Sequence, residues 1–172
     1  MSPTPQPPPP VTTPGMLRAS RLFAGMSEAT LELLAGELKC EMANPGQMLI
    51  AEGEIATHMF VVLSGEVEVL HKGGLDHDVR VALLGPGDWV GEMAILGVQP
   101  RSATVRAVSP SLLLRMTRED LETHLVARDP KEYAQILFNI ASELSRRLRV
   151  ADRLIAGASA SVAREYVKKT RG

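Results

Sequence analysis

Gly91, Glu92 and Arg101 are the residues whose types and spacing point most directly to chemistry. They lie in V-G-E-M-A-I-L-G-V-Q-P-R-S-A-T-V, residues 90–105. E-M-A-I-L holds good helix formers, with room for one or two turns before Gly97 and Pro100. A short helix leaving a Gly-containing loop presents free backbone N–H groups, and these donors together with the helix dipole favour an anion. The Glu92 carboxylate would compete with that anion unless it turns aside and accepts hydrogen bonds from hydroxyls. Arg101 follows a turn, so it can fold back and chelate phosphate oxygens bidentately. Amides and an arginine for phosphate, with a carboxylate for a vicinal hydroxyl, describe a site for a ribose phosphate. Taken singly, an acid at a helix start or an arginine on the surface is commonplace.

Other chemistries find little support. His58, His71, His77 and His124 show no ligand spacing and no acid joins them, so neither a metal site nor a cofactor is expected. No nucleophile–base pair stands out, and the chain is not expected to be an enzyme. Cys40, the one cysteine, cannot form an intrachain disulfide, which points to a reducing compartment. With 45% hydrophobic and 23% charged residues and a net charge of −1, the 172 residues suit one globular domain with appendages. That charge gives no bulk reason to expect DNA, RNA or an anionic membrane. No apolar run approaches the ~18 residues of a spanning helix, and no signal peptide is evident. A cytoplasmic location without membrane contact is expected.

The elements that must position these residues follow from periodicity and punctuation. Residues 1–15, with seven of the twelve prolines, read as a disordered tail. Residues 16–40 look helical: Ser27 can cap a helix whose apolar positions are Leu31, Leu34, Ala35 and Leu38, and Leu22 and Phe23 fall in a turn before it. From Met42 to Met116, runs at 47–51, 59–63, 66–71, 79–84, 103–108 and 111–116 are rich in Val, Ile and Leu. Gly and Pro turns separate them, which indicates an antiparallel sandwich, roll or barrel. E-V-E-V-L (66–70) alternates, so one sheet face should be wet.

Thr117 and Asp120 match a capping box, and Asp129-Pro130 with Glu132 matches a second. The second start leads into a helix over 131–155, about 37 Å long, with the stripe Leu137, Ile140, Ala141, Leu144, Leu148, Ala151 and Ile155. Part of so long a stripe should face a second copy or another protein. Residues 157–172 read as a flexible basic tail. Trp89 reads as a packing residue.

The stretch G-E-M-A-I-L-G-V-Q-P-R-S-A-T-V resembles the phosphate-binding cassette of cyclic-nucleotide-binding domains. Gly91, Glu92, Ala94, Leu96, Arg101, Ala103, Thr104 and Val105 fall on the family pattern without a gap. P-G-Q-M-L-I-A-E-G-E (45–54), M-F-V-V-L-S-G-E-V-E-V (59–69) and L-L-G-P-G-D-W-V-G-E (83–92) resemble its flanking strands, and the likeness covers about 20–155.

The resemblance implies a mainly β fold with flanking helices: an antiparallel β-roll of the double-stranded jelly-roll type, with N-terminal helices, a short cassette helix and a long C-terminal helix. The domain would span 16–156. Glu92 would accept from the ribose 2′-hydroxyl, and Arg101 would pair with the cyclic phosphate. The Ser102 hydroxyl and amides around Met93, Ala94 and Ala103 would assist. Leu84 and Ala82 would line the base, and Gly91 would let the backbone approach the sugar. Ser102 leaves the base open: threonine there favours cyclic GMP in eukaryotic kinases, while serine also occurs in cyclic-AMP binders. Cyclic AMP is the first expectation, cyclic GMP the alternative; cyclic di-GMP would need further Arg or aromatic contacts. Relatives of the activator type carry a DNA-binding helix-turn-helix after the long helix. The seventeen residues after Ile155 are expected to be too few for one, so no DNA partner is expected. Arg149 or Arg153 could reach the base from that helix.

Overall fold

The computed structural model describes residues 10–73, 78–97 and 99–170, with side chains to residue 158. Helices α1 (Pro14–Arg18) and α2 (Glu28–Glu37) flank a 3₁₀ turn at Arg21–Phe23. Eight strands follow: β1 (Lys39–Ala43), β2 (Met48–Ile50), β3 (His58–Ser64), β4 (Val67–Lys72), β5 (Asp78–Leu84), β6 (Trp89–Val90), β7 (Thr104–Ala107) and β8 (Ser111–Thr117). Helix α3 (Met93–Leu96) lies between β6 and β7. α4 (Arg118–Leu121) follows β8, and α5 runs from Pro130 to Thr170.

The strands form two antiparallel sheets, ordered β1-β8-β3-β6 and β2-β7-β4-β5. This is the β-roll with N-terminal helices, a cassette helix and a long C-terminal helix that the sequence led us to expect. Phe60, Val62, Val90 and Leu113 from the first sheet pack with Ile50, Val67, Val105 and Ala107 from the second, so the core lies between the sheets. β3 and β8 are buried on both faces, since Met59, Val61, Leu114 and Met116 are also fully buried. Such strands need cover on their outer side. The helical segments before β1 and after β8 hold further buried residues in Leu22, Phe23, Leu34, Leu121 and Leu125. The second sheet keeps a wet outer face, where Glu68 pairs with Arg106 at 2.7 Å and Arg80 at 3.7 Å.

The sequence expectations need correcting at several boundaries. Order begins before residue 16: Thr13 caps α1 and Thr12 is buried, although residues 1–9 lie outside the described set. Ser27 does cap α2, its hydroxyl accepting from the Thr30 N–H. The helix ends at Glu37, however, and Leu38 is already extended. Lys39 and Cys40 belong to β1, which pairs with β8 in a register set by a partner seventy residues away. β6, only two residues long, was likewise invisible to periodicity.

Thr117 and Asp120 form the reciprocal capping box. The second box does not form. Asp129 accepts from the Lys131 N–H at 3.0 Å, whereas the Glu132 carboxylate reaches across to the Ser27 N–H at 2.9 Å, binding the α5 start to the α2 start. α5 continues through Gly157 to Thr170, where a flexible tail was expected. An Ala-rich stretch without proline tolerates one glycine, at a cost of about 1 kcal/mol.

Residues 1–136 form one compact unit and 137–172 a second. In the second, Glu143 pairs with Arg146 at 2.6 Å and Arg147 at 3.0 Å along the helix. Leu148 and Ile155 of the apolar stripe are 62% and 65% exposed. Among the described residues, no helix is long and apolar enough to cross a membrane.

Candidate functional site

The approach to the site is pinned to β3. The G-P-G-D turn after β5 bonds to Val62 through the Gly87 N–H and the Asp88 carbonyl, at 2.8 and 2.9 Å. The Asp88 side chain accepts from the Gly85 N–H at 3.0 Å. β6 then pairs with Val61 and Phe60, which buries Trp89, so the tryptophan packs within the fold.

Gly91 follows with φ +82°, a conformation costly to residues bearing a Cβ. It turns the chain into α3, where the Ala94 and Ile95 amides donate to the Gly91 and Glu92 carbonyls at 3.1 and 2.9 Å. A Cβ at position 91 would stand 2.7 Å from Arg101 Nη1 and 3.0 Å from Ile50 Cδ1. The space that glycine leaves open is therefore occupied by the arginine.

Arg101 is held at both backbone and side chain. Its N–H donates to the Glu54 carbonyl and its own carbonyl accepts from the Gly53 N–H, each at 2.8 Å. Nη1 donates to the Gly91 carbonyl at 3.1 Å and Nη2 to the His58 carbonyl at 2.5 Å. The residue is only 7% exposed, and its buried Nε has no hydrogen-bond partner among the described residues. Burial lowers its pKa from the usual arginine value, while the Glu54 and Glu92 carboxylates pull in the opposite direction. A guanidinium remains a cation at neutral pH under such a shift. Glu92 is itself 6% exposed, so two opposite charges are buried within reach of each other's field. Leaving a donor of a buried cation unmatched is costly.

The remaining candidates differ in exposure. Ala94 is buried in α3, whereas Met93 and Ser102 are exposed and Ala103 is half-buried. Ala82 and Leu84, both half-buried on β5, stand opposite Val69 and Val67 of β4, and Leu84 packs on the inter-sheet core. His58, Gly53 and Glu54, which anchor Arg101, were not singled out from the sequence. They lie more than forty residues from it, and no local pattern marks a backbone carbonyl as a ligand. Among the described residues, no group of three His, Cys, Asp or Glu side chains converges to hold a metal ion.

Comparison with known proteins agrees with this arrangement. Residues 41–127 match the family described as cyclic nucleotide-binding domain. The cyclic AMP receptor protein of Thermus thermophilus is 33% identical over 138 residues, which is 79% of this chain and 61% of that protein. A cGMP-dependent protein kinase of Eimeria tenella is 31% identical over 151 residues, 88% of this chain but 14% of the kinase. The crystal structure of the Thermus thermophilus catabolite activator protein superposes with a TM-score of 0.71 at 31% identity, covering 81% of this chain and 63% of that one. The chain thus spans less than two thirds of each of these relatives. With its two-sheet roll, its buried Glu92 and Arg101 beside Gly91 and a family match across half its length, the chain belongs to the cyclic nucleotide-binding domain family.

Proposed function

We propose that this chain is a non-enzymatic sensor for a cyclic nucleotide monophosphate, with cyclic AMP preferred and cyclic GMP the alternative. The reading rests on Arg101, a nearly buried cation with an unpartnered Nε beside the buried Glu92. In this reading the guanidinium takes the cyclic phosphate, helped by Ser102 and the amides of Met93, Ala94 and Ala103. Glu92 accepts the ribose hydroxyl, and Ala82 and Leu84 lie against the base. Kinship with a receptor named for cyclic AMP supports the first choice, and kinship with a cGMP-dependent kinase keeps the second in play. The exposed Leu148 and Ile155 favour α5 as the output surface, meeting a second copy or a protein partner. Nucleotide can move that equilibrium only by binding one helix arrangement more tightly than another.

The test is thermal unfolding with cyclic AMP, cyclic GMP and cyclic di-GMP, for wild type and Arg101→Ala. A ligand at 100 times its Kd stabilises by about 2.7 kcal/mol. For a chain of this size that is a rise of roughly 5–10 °C. The rise should vanish in Arg101→Ala. No rise with any of the three would leave a scaffold with a degenerate site. An undiminished rise in the variant would put the site elsewhere.

A further inference from the structure

His58 stands where the anion site meets the inner face of the first sheet. Its carbonyl accepts from Arg101 Nη2 at 2.5 Å. It lies two residues before Phe60 on β3, hence on the same face, and its imidazole meets the Phe60 ring edge-on with centroids 5.1 Å apart. Phe60 is part of the inter-sheet core, so the imidazole is directed inward, half-buried, with Thr117 opposite it on β8. Three charges act on the ring from the surrounding elements. Arg115 lies on β8, Arg101 after the cassette helix, and Glu54 in the loop before β3. Burial, Arg115 and Arg101 hold its pKa below the ordinary histidine value, and Glu54 opposes them. The imidazole is therefore neutral at physiological pH, within the field of the Arg101 cation.

We propose that His58 takes up a proton when a phosphate anion seats against Arg101, making it a second, titrating component of the anion site. This rests on the ligand reading above. An anion whose charge cancels that of Arg101 removes one of the repulsions on the ring and adds an attraction. The ring's affinity for a proton then rises in the complex. Linkage fixes the sign: a complex that binds more protons than the free protein tightens as pH falls from the bound towards the free pKa. Each unit of difference appears as about a tenfold gain in affinity. The phosphodiester itself does not titrate near neutrality, so histidine is the group able to respond there.

The experiment measures the Kd for cyclic AMP and cyclic GMP by calorimetry from about pH 8 to about pH 5.5, in two buffers of different ionisation enthalpy. The wild type should tighten at least about threefold towards acid and show net proton uptake. His58→Gln should bind with a Kd independent of pH and with uptake abolished. In parallel, NMR titration of the His58 ring in wild type, free and saturated, should show the pKa raised by ligand. That reading does not depend on the variant folding. Binding with no pH dependence, or with the same dependence in His58→Gln, would overturn the role of His58 and leave the ligand assignment standing. Absence of any binding would overturn both.

Discussion

Alanine at position 91 probes the tightest junction in the site. Gly91 adopts φ +82°, and a non-glycine residue held in the left-handed region costs about 1–2 kcal/mol. The new Cβ would also stand 2.7 Å from Arg101 Nη1, so the guanidinium must leave its seat. That costs the Nη1 bond to the Gly91 carbonyl, and a hydrogen bond from a charged group contributes about 1.5–3 kcal/mol. The more restricted unfolded chain of the alanine variant returns about 0.4–1 kcal/mol. The expected net loss is about 2–4 kcal/mol. With Arg101→Ala already present, no guanidinium remains to displace, and Gly91→Ala should cost only the backbone strain less the same unfolded-chain return, about 0–1.5 kcal/mol. Urea denaturation of the four proteins, with comparable m-values, measures the coupling directly. Two independent costs that add within about 0.5 kcal/mol, or a Gly91→Ala protein as stable as wild type, would refute the packing of Arg101 into the glycine's space.

Three further outcomes are expected. Thr117→Ala removes the cap of α4 and should lower stability by about 1 kcal/mol in the same denaturation assay, with Thr117→Ser retaining most of it. Hydrogen bonds from Arg146 and Arg147 push the Glu143 pKa down to about 2, against burial. A depressed carboxyl contributes stability that is present above its unfolded pKa and fades as pH drops through the folded one. Helicity by circular dichroism should therefore fall between about pH 4.5 and pH 2 more steeply in wild type than in Glu143→Gln. If α5 joins two copies, the wild type should sediment as a dimer and Leu148→Asp with Ile155→Asp as a monomer, with the roll's unfolding midpoint unchanged. An unaltered sedimentation profile would remove α5 as the contact surface.

Local pattern was sufficient wherever a structure depends on residues near one another in sequence. The Ser27 cap, the Thr117–Asp120 box and the Gly/Pro turns between strands depend on backbone groups a few residues away, so their residue types announce them. Gly91, Glu92 and Arg101 were legible for the same reason: a turn of fixed length carries them. Tertiary structure decided what lies far away in sequence. β1 is a strand because β8 offers it an edge. Glu132, suited by spacing to cap its own helix, gives its carboxylate to Ser27, because packing brings that N–H 2.9 Å away. The sequence by itself determined that an acid and an arginine would flank one short helix. Only the folded roll decided that the arginine would be buried, seated in the space of Gly91 and gripped by the carbonyls of His58 and Gly91. A backbone carbonyl carries no residue type, and its place as a ligand exists only once the strands have paired.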